Sequence, residues 1–161
     1  MTDSRIRRDD LEESVEDSGG WSVYLELLAR DSRGALIEDL LPTLTPPQQA
    51  VLAVGQVFEG CQFDGLALTI LNVGRRMLDA AITGARAMGE EALAGAFESG
   101  AGLAPADIDL HDADRFQWYE QLWSDEAAKA RWSDVDDVVD SKGLDFTDYI
   151  EAHPDAFFVD P

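Results

Sequence analysis

The residue types that most often carry chemistry are scarce in this chain. It has one cysteine, Cys61, and two histidines, His111 and His153. A zinc site needs several Cys or His ligands at short spacings, and no such pair is present. Each histidine has an aspartate neighbour, which is expected by chance in a chain with 33 acidic residues, so we expect solvated surface histidines. Cys61 falls on the apolar stripe of a predicted helix, where a buried structural thiol is the usual state.

Aspartates between residues 107 and 114 are spaced somewhat like the ligands of an EF-hand loop. If Asp107 took position 1, however, the chain would have Asp112 where the loop needs Gly and Trp118 where it needs a bidentate Glu. A second window that begins at Asp140 fails at its third and fifth positions. Only weak surface calcium binding is compatible with this pattern, and we expect neither a metal site nor a cofactor.

Motifs for catalysis are also missing from the sequence. It has no phosphate-binding loop, no dinucleotide-binding glycine pattern and no nucleophile elbow. Carboxylates are abundant, but acid–base catalysis needs one partly buried carboxyl group with a shifted pKa, which sequence cannot single out. We therefore expect a protein that is not an enzyme, with a small hydrolase as the remaining enzymatic alternative.

Negative charge excludes several classes of partner. The chain has 12 Lys and Arg against 33 Asp and Glu, a net charge of −21. Residues 101–161 alone carry 16 acidic and 4 basic residues, a local net charge of −12. A nucleic-acid-binding protein must neutralise phosphates with Lys and Arg, and anionic lipid attracts the same residues. We expect a basic protein as the partner, with no direct binding of nucleic acid or membrane.

Cysteine usage and hydropathy indicate a cytoplasmic protein. A single cysteine cannot form an intramolecular disulfide, which suits a reducing compartment. The first 20 residues are polar and charged, unlike a signal peptide, and no apolar run approaches the ~20 residues that span a bilayer.

The most acidic segment must nevertheless fold, because it is rich in aromatic residues. Disordered acidic tails lack such side chains, since they have no core to fill. The aromatic residues of this segment are Trp118, Tyr119, Trp123, Trp132, Phe146, Tyr149, Phe157 and Phe158.

Apolar residues recur at helical rather than strand spacing, which predicts an all-α fold. We expect a single compact bundle of about six to eight helices over residues 21–161, preceded by a loosely ordered charged leader at 1–20. Thr45 and the prolines after it predict a helix start, and Gly60 predicts the end of that helix. A short apolar stretch at 66–73 follows.

An aromatic helix and an acidic run are the most informative local patterns. Phe116, Tyr119 and Trp123 recur at i, i+3 and i+7, which predicts that they face the core. Trp118 lies off that stripe, so it is either an aromatic anchor for a partner or a side chain that leans on a neighbouring loop.

Carboxylates in this region can form one face. Asp136 and Asp140 lie ~6 Å apart if helical, a spacing comparable with that of phosphates along a DNA strand. The alternative is a solvated face that confers solubility. The candidate partner-binding residues are Asp107, Asp109, Asp112, Asp114, Asp134, Asp136, Asp137 and Asp140.

Two stretches resemble a known bacterial family. The first runs from Phe58 to Leu66 and continues through Ile70-Leu71-Asn72 to residues 81–89. The second is the closing Tyr-Ile-Glu-Ala-His-Pro-Asp-Ala-Phe at 149–157, which is similar to a Y-I-x-x-H-P-x-x-F ending. Together they resemble, from Leu36 to Phe158, the domain family typified by the nineteen-kilodalton DNA-mimic proteins.

The resemblance implies a mostly helical, acidic, dimeric protein that binds a transcription factor in place of its operator. Gly65 and Asn72 match the family pattern, and both are expected to be structural. Glycine permits a backbone conformation or a close approach that a Cβ would block, and Asn near a helix end can bond free backbone groups. We expect an acidic protein-binding module, in its sharpest form a DNA mimic; the alternative is an antitoxin or immunity protein that covers a basic toxin.

Overall fold

A computed structural model describes residues 4–29, 37–106 and 112–159. Within these ranges the regular structure is helical, which confirms the all-α prediction, and the β-structure is an isolated bridge between Ile6 and Phe158. Single 3-10 turns lie at Arg8–Asp10 and Leu41–Thr43. The α-helices are α1 Trp21–Ala29, α2 Ile37–Leu40, α3 Pro46–Ala87, α4 Glu91–Leu103, α5 Asp112–Ser124, α6 Glu126–Asp140, α7 Thr147–Ala152 and α8 Pro154–Phe157.

The long helix α3 is the central element, and it begins where the sequence predicts. Thr45 accepts the Gln48 N–H, and Gln48 Oε1 accepts the Thr45 N–H at 3.0 Å, which together form a capping box. The predicted end at Gly60 is wrong, because the helix continues through that residue. Gly60 instead allows close packing, since a Cβ there would lie 2.7 Å from Thr69 Cγ2.

Two glycines interrupt α3 and divide it into segments 46–64, 66–73 and 75–87. Gly65 has φ 75° and Gly74 has φ 78°, values that L side chains rarely adopt. The middle segment is the short apolar stretch seen in the sequence, and Leu66 and Ile70 within it are fully buried. These bends let one continuous stretch of chain pack against several neighbours.

The core forms where α3 packs against α1, α4 and α6. Leu93 and Phe97 of α4 are buried, as their spacing predicts, and Leu27 of α1 is buried opposite. A strongly acidic chain therefore has an ordinary apolar interior, and its charges lie on the exterior.

The described part of the leader, residues 4–20, contacts the helical core at two buried apolar positions. Ile6 and Val15 belong to the buried core. The Ile6 N–H donates to the Phe157 carbonyl at 2.7 Å, and the Val159 N–H donates to the Ile6 carbonyl at 3.0 Å. No helix among the described residues is long and apolar enough to cross a membrane.

Candidate functional site

Helices α5 and α6 form the acidic outer layer of the molecule. Asp125 lies between them, and its Oδ1 accepts the N–H groups of Ala127 and Ala128 at 2.9 and 3.1 Å. This N-cap fixes the start of α6, because it satisfies amide groups that have no partner within the helix. On the inner side, α6 contributes Trp132, Val135 and Val139 to the core.

The four aspartates of α6 are not equivalent. Asp134, Asp137 and Asp140 are exposed, whereas Asp136 is half-buried. Asp140 also accepts a hydrogen bond from Gln62 Nε2 at 3.1 Å. Asp140 therefore contacts α3 while it remains exposed, and Asp134 and Asp137 face solvent.

Asp136 has a structural role that the sequence did not reveal. Its Oδ1 accepts the Leu66 N–H at 2.8 Å and so caps the middle segment of α3. A Cβ at Gly65 would lie 3.0 Å from Asp136 Oδ2, so the glycine supplies both the backbone conformation and the room for this carboxylate. The structural role expected for Gly65 is thus explained by a side chain 71 positions along the chain, on another helix.

Arg115 of α5 stabilises the opposite end of the same segment. Its Nη1 donates to the Leu71 carbonyl at 3.1 Å. An anion near the first amide and a cation near the last carbonyls both complement the helix dipole. Asn72, expected to serve the backbone near this end, is exposed. Two side chains of the acidic layer therefore hold the interrupted part of α3.

Burial shifts the pKa of two groups at this junction. The pKa of Asp136 is raised by desolvation, a shift that the Leu66 hydrogen bond opposes and that the charges of Asp140 and Asp137 increase. The pKa of Cys61 is raised to about 12, again mainly by burial and then by Asp136. Cys61 is a buried, protonated thiol, as predicted, and its environment opposes formation of a nucleophilic thiolate.

The aromatic stripe predicted for α5 is placed incorrectly. Phe116 is 61% exposed and Trp123 is 54% exposed, whereas Leu122 is buried. Trp118, the suggested anchor, is half-buried and meets Trp132 edge-to-face, with ring centroids 6.0 Å apart. It therefore lies inward, and the exposed aromatic surface of α5 belongs to other residues.

The cause of this error is Arg115. The inner face of α5 follows Arg115, Trp118 and Leu122, at i, i+3 and i+7, with the guanidinium directed at the Leu71 carbonyl. The periodicity of Phe116, Tyr119 and Trp123 gives no sign that an arginine packs inward. The i, i+3, i+7 spacing of those three residues is visible in the sequence. It indicates the inner face of the helix only if the arginine is known to point inward.

Other predicted site residues have these positions. Asp114 is exposed near the start of α5. Asp107 and Asp109 lie outside the described residues, as does the side chain of Asp112, although α5 begins at that residue. The acidic face that can be described therefore consists of Asp114 on α5 and three aspartates of α6.

A pocket of about 330 Å³ opens where the Gly65 bend, α5 and α6 meet. The rings of Tyr119 and Trp123 meet edge-to-face at 5.7 Å. Lys129 Nζ lies 5.9 Å from the centre of the Trp123 ring and is held by Glu126 Oε1 at 2.7 Å. The pocket thus combines aromatic walls with charged groups, and its lining includes Asp64, Tyr119, Trp123, Lys129, Trp132 and Asp136.

Comparison with protein families identifies the fold. The model of the DMP19-like protein family matches residues 42–153, which include the Gly65 bend, α5 and α6. The chain belongs to the DMP19-like protein family. Searches of curated proteins and of solved structures gave no significant match. The DMP19-like family is not a known enzyme family.

In this DMP19-like protein, the described residues that are typical metal ligands do not form a cluster. No group of three or more His, Cys, Asp or Glu among them is placed to hold a metal ion. His153 is exposed, as predicted, with Nδ1 2.8 Å from the Tyr149 carbonyl oxygen, while His111 lies outside the described residues. The features that remain to be explained are the acidic face and the aromatic pocket beside it.

Proposed function

We propose that this protein is a non-enzymatic acidic binding module that acts as a DNA mimic by occupying the basic surface of a DNA-binding protein. The observation that carries the proposal is the acidic face of α5 and α6, fixed to the core of a chain whose net charge is −21. Charge of this sign and density attracts basic protein surfaces and repels nucleic acid.

Rigidity of this face supports the proposal, because a DNA mimic needs carboxylates at fixed positions. The α6 backbone is anchored by the buried Trp132, by the Asp125 cap and by the hydrogen bond between Asp136 and Leu66. Carboxylates on an anchored helix keep their spacing, as phosphates on a duplex do, whereas carboxylates on a mobile tail do not. A partner can therefore match its basic side chains to fixed positions.

Basic residues in the same layer offset little of this charge. Lys129 is paired with Glu126, and the Arg115 guanidinium reaches the Leu71 carbonyl. Arg131 is an exposed base on α6. From residue 112 to 159 the exposed acids are Asp114, Glu120, Asp125, Glu126, Asp134, Asp137, Asp140, Asp145, Asp148, Glu151 and Asp155.

Family membership supports the same function. The best-known members of the family that the sequence resembles bind a transcription factor in place of its operator. Membership alone transfers the fold more securely than the activity. The charge distribution of this chain is an independent argument, because it is read from these residues themselves.

A capture experiment tests the proposal. The protein is immobilised and exposed to native-cell extract at low and high salt, beside a D134K/D137K/D140K variant that leaves the Asp136 cap intact. We expect a DNA-binding protein that elutes as salt rises, because screening acts over ~8–10 Å, and whose association with the variant is slower.

A second variant controls for net charge alone. E12K/E13K/E16K changes the charge by the same amount at exposed positions of the leader. If both variants lose binding equally, the acidic face has no special role. Capture of a basic toxin instead of a DNA-binding protein would replace the mimic with an antitoxin or immunity protein.

A further inference from the structure

The pocket at the Gly65 bend has the chemistry of a cation-binding site. Tyr119 and Trp123 supply aromatic rings, and Asp64 and Asp136 supply carboxylates. Aromatic faces attract cations, and carboxylates form strong charge-assisted hydrogen bonds with them. The aromatic walls and the carboxylates are contributed by different helices, so the combination is a property of the fold.

An intramolecular cation already lies at this site. Lys129 Nζ is 5.9 Å from the Trp123 ring centre, near the outer limit of a cation–π contact, while its ion pair with Glu126 keeps it at the rim. Trp123 is 54% exposed, so much of its ring is free to contact a second group. The Trp123 ring thus already has one positive charge near it, and its exposed surface leaves room for a second cation.

The size of the pocket limits its occupant. A volume of about 330 Å³ lies at the lower end of the range for small-molecule sites, which suits one long side chain better than a cofactor. Among basic side chains, Arg has a planar guanidinium that stacks on aromatic rings, pairs with carboxylates through two N–H groups and is less strongly hydrated than Lys. Arg is also enriched at the energetic centres of protein interfaces.

We propose that this pocket receives one arginine side chain of the basic partner, with the guanidinium stacked on Trp123 and hydrogen-bonded to Asp64. The assignment rests on the proposed function, because a basic protein surface is what would present the arginine. The acidic face then provides long-range attraction, and the pocket provides the short-range contact that selects position.

Asp136 supplies a second line of support. Its pKa is raised in the free protein by desolvation and by the charges of Asp140 and Asp137. A guanidinium in the pocket would favour the charged carboxylate and lower that pKa. Cys61 also faces this carboxylate and stays protonated, with a pKa of about 12.

Short peptides test the assignment without the natural partner. Acetyl-Gly-Arg-Gly-amide is titrated into the protein, with citrulline and lysine versions as controls, and the Trp123 indole N–H is followed by NMR. We expect the arginine peptide to shift this signal and to bind about tenfold more tightly than the uncharged citrulline peptide, a ratio that corresponds to one charge-assisted hydrogen bond. Equal affinity of the arginine and citrulline peptides would overturn the proposal.

Matched variants locate the binding. W123A and D64N should each weaken arginine-peptide binding several-fold, while F116A and D155N, at exposed positions outside the pocket lining, should not change it. K129M should strengthen binding, since it removes a competing cation. Weaker binding to K129M would contradict the assignment, because removal of a competing cation should favour a guanidinium in the same pocket.

Failure of the pocket and failure of the proposed function give different results. If the protein displaces DNA from its partner equally well with and without W123A, the arginine pocket is wrong and the acidic face alone carries the function. If the arginine peptide binds as expected but no DNA-binding protein is captured, the pocket is an arginine site and the DNA mimic is wrong.

Discussion

Helices α4 and α5 have the same length of 13 residues and similar apolar spacing, yet they are used differently. Leu93 and Phe97 of α4 are 1% and 0% exposed. Phe116 and Trp123 of α5 are mostly exposed, and Leu122 is the buried residue among the described side chains of that helix. One helix contributes its aromatic side chain to the core, and the other presents aromatic side chains to solvent.

Position in the fold explains the difference. Helix α4 packs extensively against both α3 and α6, so its apolar stripe is covered. Helix α5 lies at the edge of the acidic layer and uses Arg115, Trp118 and Leu122 for its inner contacts. Exposed aromatics on an acidic helix contribute little to folding, and they are typical anchors in protein interfaces.

Truncation of one phenylalanine on each helix tests this comparison most strongly. F97A should lower the free energy of unfolding by about 3–5 kcal/mol, because it removes a fully buried ring and leaves a cavity. F116A should change it by less than about 0.5 kcal/mol. Chemical denaturation measures both, and similar losses would show that α5 is packed as tightly as α4.

Glycine substitutions test the bend at Gly65, where α3 meets the acidic layer of α5 and α6. G65A should cost about 2 kcal/mol, because Ala is strained at φ 75° and its Cβ would approach the Asp136 carboxylate. G95A, on the exposed side of α4 with open space around it, should instead stabilise the protein by about 0.5–1 kcal/mol. A neutral G65A variant would contradict the described bend.

Removal of the Asp136 cap should have a moderate effect on stability. D136A leaves the Leu66 N–H without its acceptor and should cost about 1–2 kcal/mol. D136N keeps an acceptor oxygen and removes a poorly solvated charge, so it should be at least as stable as the natural protein at neutral pH. D137A, at an exposed neighbour, is the control and should be nearly neutral. Equal losses in D136A and D137A would exclude a capping role.

The smallest expected effect is a pH dependence of the difference in stability between the natural protein and D136N. Because the folded pKa of Asp136 lies above its ordinary value of 3.8, the folded state binds this proton more tightly than the unfolded state does. The protonated Asp136 carboxyl group therefore stabilises the folded state fully below pH 3.8, and this stabilisation is lost as pH rises through the folded pKa. The stability of the natural protein relative to D136N should therefore increase on acidification towards pH 3.8, which unfolding curves at several pH values can measure.

Helix capping and apolar periodicity predicted much of the fold, but not the contacts that join α3 to the acidic layer of α5 and α6. The Thr45 cap and the buried face of α4 follow from capping chemistry and periodicity, which act over one or two helical turns. The Asp136–Leu66 and Arg115–Leu71 hydrogen bonds join residues 70 and 44 positions apart. Such contacts leave no periodic signal, so a charged residue with an inward role was assigned to the exterior.

The same limit applies to the candidate site. Net charge and the exposure of Asp134, Asp137 and Asp140 could be predicted, because acidic residues usually remain in solvent. The pocket could not, since it depends on how a glycine bend, α5 and α6 meet in three dimensions. A basic protein partner remains a prediction from composition, and the arginine pocket is a proposal from the fold.

Displacement of DNA from a captured partner tests the DNA-mimic function most directly. A labelled duplex is bound to the DNA-binding protein, and this acidic protein is titrated in while release of the duplex is followed by fluorescence anisotropy. We predict complete release by the natural protein and by E12K/E13K/E16K, and weak release by D134K/D137K/D140K. A stable complex in which the partner holds the duplex and this protein at the same time would contradict the account.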